Sequence, residues 1–247
     1  MNLKEVLRDF SLEKNEQRRN LDNSNQLTAL ENPPAEFKNV AKAILSGHFR
    51  VQNSSNESES VEVYPTCVEI YYHEEQANGI KDPIVYHRNR KKKKKSDDDN
   101  PIVFPLGVLH NHVSGIDITF ESEANSKNKY VTGIVRASAL IREFSVKIWK
   151  TEKGKITEKV IEKEDRSTYI YEYLFGQVSI FDGFKITWEG DFEEKDLDDI
   201  KLICNSRKNV MEYKEPNTDS DKKEYDYQKN GIKCKRAWQF LIDNTSK

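Results

Sequence analysis

The sequence predicts an α+β fold in which one domain combines a mainly antiparallel sheet with flanking helices. Segments rich in β-branched and aromatic residues recur along most of the chain between polar turns, which is typical of such a sheet. Apolar residues at helical spacing occur near the N-terminus. The 247 residues suffice for one large core, and the 36% hydrophobic and 33% charged residues indicate a packed interior beneath a charged surface.

Composition also limits the class and location of the protein. No apolar run approaches the ~18 residues of a membrane-spanning helix, and residues 1–10 are charged and amphipathic rather than like a signal peptide. Cys67, Cys204 and Cys234 are odd in number and lack the paired spacing of a zinc site. The net charge of -2 argues against a uniformly basic nucleic-acid binder. We expect a cytoplasmic protein with no membrane partner and no cofactor, associated with the nucleoid if it binds DNA.

The first elements along the chain are two helices and a strand. Residues 2–10 are predicted to form a short helix. Pro34 opens a second helix and Gly47 ends it. The apolar face of this helix comprises Phe37, Val40, Ala41, Ile44 and Leu45. Residues 48–52 follow as a strand and residues 53–60 as a polar loop.

The chain divides into a terminal segment and a domain with an insert. Residues 1–30 are an N-terminal helix and polar segment, and residues 31–247 are predicted to be the single α+β domain. Residues 88–100 are a low-complexity insert that is expected to be solvated or disordered. Its basic side chains, which an acidic run follows, are Arg88, Arg90, Lys91, Lys92, Lys93, Lys94 and Lys95.

The rest of the predicted secondary structure is mostly strand. A strand over residues 66–72 follows a break at Pro65. Further strands are predicted at residues 102–112, 115–121, 130–137, 144–150, 155–161 and 178–188. Two helices are predicted near the end of the chain, at residues 193–202 and 237–242.

Two charged residues lie within apolar strand segments. Glu69 belongs to Cys67-Val68-Glu69-Ile70-Tyr71-Tyr72, where it either faces solvent or has its pKa raised in an aromatic pocket for general-base chemistry. Arg136 belongs to a similar strand and needs an anionic partner, because an unpaired buried guanidinium is costly. That partner is Glu69, Asp117 or an anionic substrate. Taken alone, Glu69 is expected to face solvent, and Arg136 is expected to form a structural ion pair rather than bind a substrate.

Three histidines lie near these segments. His87 directly precedes the lysine run, so it either contacts phosphate or lies in a charged surface loop. His110 and His112 share one face at strand spacing and could hold a metal with a carboxylate. No third ligand follows at a diagnostic spacing, so no metal site is predicted.

In order, four segments resemble the alkyladenine (methylpurine) DNA glycosylase family. They are the helix Val40-Ala41-Lys42-Ala43-Ile44-Leu45-Ser46-Gly47, the strand Val68-Glu69-Ile70-Tyr71, the acidic-to-histidine loop of residues 82–87, and the strand Gly133-Ile134-Val135-Arg136-Ala137. The resemblance spans about residues 37–140. It implies a curved, mainly antiparallel sheet and hydrolysis of the N-glycosidic bond of a flipped purine in double-stranded DNA.

By this resemblance, Glu69 would be the general base that activates water, and Arg136 would help to fix both the water and Glu69. Tyr71 and His87 would stack on the flipped base. Family members have a tyrosine-rich strand and a side chain that wedges into the duplex where this chain has residues 109–115. The stacking side chain would then be Asn111 or His112, and the wedge would be Val113 or Ile116. The basic insert would contact the DNA backbone.

Two other classes of function stay open. A catalytically silent nucleic-acid-binding protein would use the basic insert for phosphates and Tyr71, Tyr72 or Tyr86 as stacking platforms. A protein-interaction module would contact a basic partner through acidic residues of the C-terminal half. The glycosylase hypothesis makes one structural prediction of its own, that Glu69 and Arg136 lie close together on the sheet.

Overall fold

Two long antiparallel strands, β2 (Asn56–Glu74) and β5 (Val135–Glu152), form the centre of the fold in this computed structural model. Seven shorter strands extend the sheet on both sides. The structure describes residues 2–10, 33–53, 56–74, 82, 85, 104–120, 135–176, 181, 183–190, 197, 199–208, 211–212, 232–233 and 236–243.

Every strand pair in the sheet is antiparallel. The shorter strands are β1 (His48–Asn53), β3 (Leu109–His112), β4 (Gly115–Thr119), β6 (Lys155–Glu164), β7 (Phe184–Glu189), β8 (Leu202–Asn205) and β11 (Gln239–Ile242). The main order is β3-β4-β5-β2-β1-β7. β6 pairs with the second half of β5, whereas β11 joins β8 to the second half of β2. A separate small pair comprises β9 (Met211–Glu212) and β10 (Ile232–Lys233).

Paired irregularities let both long strands keep one face on the core. The register skips Thr66 on β2 and Arg142 on β5, at neighbouring points of the ladder. An extra residue reverses the alternation of a strand and bends it. The inward residues therefore change from odd to even numbers along β2 and along β5, as in Val63 and Val68 on β2. The bends curl the sheet around its core.

Helices cover the inner face of the sheet. They are α1 (Leu3–Asp9), α2 (Ala35–Leu45) and α3 (Ile170–Leu174), and a 3-10 turn (Ser167–Tyr169) precedes α3. Asn2 and Glu5 form a capping box at the start of α1. The aromatic centre of the core consists of Phe10, Phe37, Tyr72, Phe120 and Trp238. Among the described residues, no helix is both long and apolar enough to cross a bilayer.

Gly47 permits a close approach between two strands. A Cβ at this position would lie 2.6 Å from the indole of Trp188 and from the carbonyl oxygen of Glu189. Glycine therefore lets β1 begin directly against β7 after α2 ends. The predicted end of the helix at Gly47 is confirmed, and the contact with Trp188 is a second requirement for glycine there.

The structure confirms the single α+β domain, the two N-terminal helices and most strands, and it corrects several local predictions. Residues 56–60 belong to β2 rather than to a loop, and Pro65 lies within that strand. Residues 130–137 and 144–150 were expected as separate strands, but residues 135–152 are one strand, β5. Residues 104–108 are not strand, so β3 begins only at Leu109.

The predicted C-terminal helix is wrong because residues 239–242 form β11. The predicted helix at 193–202 overruns into β8, which begins at Leu202. In residues 239–242, pairing with β2 and β8 supplies the backbone hydrogen bonds that a helix would otherwise make internally.

Candidate functional site

Glu69 lies at the centre of a buried hydrogen-bond network on the outer face of β2. Its side chain is 0% exposed. Oε2 accepts hydrogen bonds from Arg142 Nε at 2.6 Å and from the Tyr71 hydroxyl at 3.0 Å. Oε1 accepts from the Lys208 backbone N–H at 2.6 Å and from Gln239 Nε2 at 3.1 Å. Both oxygens of the carboxylate are therefore engaged by protein donors.

Arg142 is the charge partner of Glu69. Burial acts to lower the pKa of Arg142, but the charge of Glu69, the Tyr71 hydroxyl and the hydrogen bonds to both together outweigh burial and raise the pKa. Burial and the charge of Glu69 together raise the pKa of the Tyr71 hydroxyl, so this group acts only as a neutral donor and acceptor. The three side chains form a compact, fully bonded unit.

A second buried ion pair lies beside β2, next to the end of its pairing with β11. Arg207 donates from Nη1 and Nη2 to the two oxygens of Asp82, at 2.7 and 3.2 Å, and both side chains are fully buried. Arg207 also donates to the carbonyl of Ile70 at 3.3 Å, just beyond the point where β11 stops pairing. The Asp82 backbone N–H donates to His73 Nδ1 at 3.0 Å. These groups satisfy strand atoms that have no ladder partner there.

The expected pairing of Glu69 with Arg136 is wrong. The register places Glu69 opposite Leu140 and Arg136 opposite His73. The two residues share a face but lie four positions apart, about 14 Å along the strand at ~3.4 Å per residue. Glu69 pairs with Arg142 instead, which the irregularity in β5 places beside it.

This geometry bears directly on general-base chemistry at Glu69. A general base must contact the water or group from which it takes a proton. Glu69 is buried and bonded to four protein donors, so at least one of these bonds must break before it could do so. The arrangement is that of a structural ion pair, and a catalytic role for Glu69 and Arg136 stays a prediction.

His112 forms a second polar cluster, at the hairpin of β3 and β4. The Ser114 N–H donates to His112 Nδ1 at 3.2 Å, so the proton of a neutral ring lies on Nε2, which is 3.1 Å from Asp117 Oδ1. The Ser138 hydroxyl donates to Asp117 Oδ2 at 3.2 Å. The carboxylate thus lies between histidine and serine, whereas a hydrolytic triad needs the histidine in the middle.

The predicted DNA-contacting residues at this hairpin differ in their exposure to solvent. Asn111 is exposed and the side chain of His112 is 22% exposed. Val113 is 94% exposed at the turn itself. Ile116 is 0% exposed and belongs to the core, which corrects the expectation that it could be a surface wedge. Val113 is the exposed alternative.

Several predicted contacts lie outside the described residues. They are Tyr86, His87, Arg88, Arg90, Lys91, Lys92, Lys93, Lys94 and Lys95. Of the other predicted stacking tyrosines, Tyr72 is buried in the core, and the ring of Tyr71 lies 4.7 Å from the guanidinium of Arg207. Within the described part of the chain, no group of His, Cys, Asp and Glu is placed to hold a metal ion.

The most exposed regular element of the described chain is β6. Residues 155–160 are all exposed, and the strand pairs with β5 along one edge only. No described strand pairs with its other edge. Ile156 is 64% exposed and Val160 is 44% exposed. An unpaired edge with exposed apolar side chains is a template for pairing with another polypeptide.

No protein-family model, curated protein or solved structure matches this chain significantly. The resemblance to the methylpurine glycosylases stays a prediction from the quoted segments.

Sequence reasoning identified Glu69 but missed most of its partners. Arg142 was overlooked because it lies in Leu140-Ile141-Arg142-Glu143, where alternation with period two fails at the irregularity. Arg207 and Lys208 lie in a polar stretch far along the chain, and no local pattern links them to β2. The exposure of β6 did have a signal, since four of the six residues in Lys155-Ile156-Thr157-Glu158-Lys159-Val160 are polar or charged.

Proposed function

We propose that this chain is a non-enzymatic interaction protein that binds an extended segment of another polypeptide along the free edge of β6. The observation that carries the proposal is the exposure of this strand, with Ile156 and Val160 outward and one edge unpaired in the described structure. Strand addition supplies main-chain hydrogen bonds for affinity and alternate side chains for specificity.

The hydrogen bonds that protein donors make to both oxygens of Glu69 support a non-enzymatic function. Its four hydrogen bonds and complete burial suit a group that holds the sheet together, and Arg207 with Asp82 has the same character. These contacts give Glu69 a role in stability that needs no catalytic chemistry.

A peptide selection on the folded protein tests the proposal. A library of extended peptides is selected on wild type and counter-selected on Ile156→Thr/Val160→Thr. Enriched peptides should slow amide hydrogen exchange in β6 and leave β7, at the other edge, unchanged, because added strand hydrogen bonds protect only the paired edge. The proposal would be contradicted if no peptide were enriched, or if the enriched peptides slowed hydrogen exchange in strands other than β6.

Duplex DNA binding is a second candidate, favoured by the 94% exposure of Val113 at a hairpin tip. By the resemblance, Val113 would be the side chain that wedges between bases. If the chain does bind duplex DNA, a glycosylase-like fold and a nucleoid location are expected with it. Val113→Ala should weaken binding and reduce the fluorescence change of 2-aminopurine in duplex DNA, because an apolar wedge unstacks bases. Ile203→Ala, an exposed apolar residue on β8, is the matched control.

The lysine run tests the same candidate electrostatically. Neutralising five phosphates gives a slope of about -4.5 in a plot of log affinity against log salt concentration. Deleting Lys91 to Lys95 should flatten that slope. An unchanged slope would mean that the run does not contact DNA.

A further inference from the structure

The two faces of β6 differ in chemistry. The register places Lys159 opposite Ile148 and Thr157 opposite Lys150, so Lys155, Thr157 and Lys159 lie on the same face as the core. Ile156, Glu158 and Val160 point to the other face. A strand that paired with β6 would present alternate side chains to these two environments.

The face that carries Lys155 and Lys159 is basic. Both lysines are exposed, and Lys150 on the neighbouring strand is exposed beside them. Glu152, which opposes Lys155 in the register, is the one acidic position within residues 148–159 of this face of the ribbon. Opposite charges across a strand pair stabilise it, whereas like charges directly opposed destabilise it. Acidic side chains are therefore favoured at partner positions facing Lys155 and Lys159.

The other face favours apolar partner residues. Ile156 and Val160 flank Glu158, and Trp149 lies opposite Glu158 on β5. Lysines on an edge strand are also a common protection against pairing. A strand whose lysines served only to prevent pairing would not need two exposed β-branched apolar side chains on its second face. Binding of a partner strand therefore explains the lysines and the apolar residues together better than prevention of pairing does.

We infer that the partner of β6 is an extended polypeptide segment in which acidic residues, facing Lys155 and Lys159, alternate with apolar residues that cover Ile156 and Val160. This inference rests on the proposed docking function of β6. Charge on one face and apolar contact on the other set the orientation of the bound segment about its own axis.

Three labelled octapeptides test the inference by fluorescence anisotropy with the full-length protein. In all of them valine alternates with a second residue, which is glutamate, lysine or threonine. The glutamate peptide should bind wild type at least about threefold more tightly than the threonine peptide, and the lysine peptide should bind most weakly, as cross-strand charge pairs predict.

Charge reversal makes the test specific. Lys155→Glu/Lys159→Glu should invert the order, so that the lysine peptide binds best, while Lys201→Glu, an exposed lysine beside β8, should keep the wild-type order. The three peptides could bind wild type equally well and bind Ile156→Thr/Val160→Thr more weakly. That result would overturn the inference of an acidic partner but leave the docking function of β6 standing. Absence of any peptide binding would overturn both. A dimer of wild type that Ile156→Thr/Val160→Thr dissociates in sedimentation would identify a second copy as the occupant and overturn the inference.

Discussion

At the scale of single residues, the buried carboxylates of Glu69 and Asp82 are each paired with an arginine. Glu69 and Arg142 illustrate this pairing, since each is desolvated and each satisfies the other at 2.6 Å. Removing one member of such a pair leaves the other charge buried, which is the costly event, rather than the loss of the attraction itself.

Glu69→Gln should destabilise the protein by about 3 kcal/mol, because Arg142 would keep its charge in a largely buried site without an anionic partner. Urea unfolding of wild type and variant measures the difference. Glu158→Gln, at an exposed position on β6, should change the free energy of unfolding by no more than ~0.5 kcal/mol. Equal stability of wild type and Glu69→Gln would show that the ion pair is not needed.

The same pair of proteins decides the glycosylase hypothesis. Oligonucleotides bearing alkylated or deaminated purines are incubated with wild type, and abasic sites are then detected. We expect no release of bases, since both oxygens of Glu69 are engaged. Release by wild type that Glu69→Gln abolishes under folded conditions would instead establish Glu69 as the general base.

Glu143 should make stability sensitive to acid. Burial acts to raise the pKa of its carboxyl, but hydrogen bonds from Lys163 at 2.8 Å and Lys208 at 2.5 Å outweigh burial and lower the pKa. A carboxyl with a lowered folded pKa stabilises the protein above its unfolded pKa, and this contribution disappears as the pH falls through the folded pKa. The Tm of wild type should therefore fall more steeply below pH ~4.5 than that of Glu143→Gln. Parallel curves of Tm against pH would refute this.

At the scale of secondary-structure elements, the skipped residues in β2 and β5 decide which side chains are buried. Each long strand presents apolar residues inward on both sides of its irregularity, although the numbering of the inward residues changes from odd to even. The outer face over the same length carries mostly polar side chains, with Cys67 and Leu140 as buried exceptions. The fold therefore depends on one extra residue in each strand as well as on composition.

Deleting Thr66 should consequently cost about 3–6 kcal/mol, because Val61 and Val63 would turn outward and each buried side chain contributes ~1.5–3 kcal/mol. Urea unfolding followed by circular dichroism measures the loss. Inserting a glycine beside Gly154, in the exposed turn between β5 and β6, is the matched control and should be tolerated. If the deletion is equally tolerated, the strand must shift its register without penalty.

At the scale of the whole molecule, the N-terminal helix is an integral part of one core. Leu3, Val6, Leu7 and Phe10 are buried, and the ring of Phe10 contacts Phe37, Tyr72 and Phe120. Sequence reasoning assigned the first segment no function and placed the domain after it. Burial shows instead that the chain on either side of this division packs together.

A variant lacking residues 2–10 should lose several kcal/mol of stability, since four buried side chains at ~1.5–3 kcal/mol each leave the core. Thermal unfolding and the binding of a dye that detects exposed apolar surface measure the effect. Deleting Lys91 to Lys95, a run without any apolar side chain, is the comparison and should leave Tm nearly unchanged. An unchanged Tm in the first variant would mean that α1 only covers a core that is complete without it.

Local chemistry in the sequence determined the α+β class, α1 with its Asn2 cap, α2 after Pro34 and most strands, because caps, proline and residue periodicity act within a few neighbours. It also marked Glu69 as a charge within a strand. Only the tertiary structure decided that its partner is Arg142 rather than Arg136, because that depends on a skipped residue and on the register of two strands distant in sequence. Only the tertiary structure made residues 239–242 a strand and left one edge of β6 unpaired within the described chain, because strand pairing depends on which neighbours the whole chain brings together.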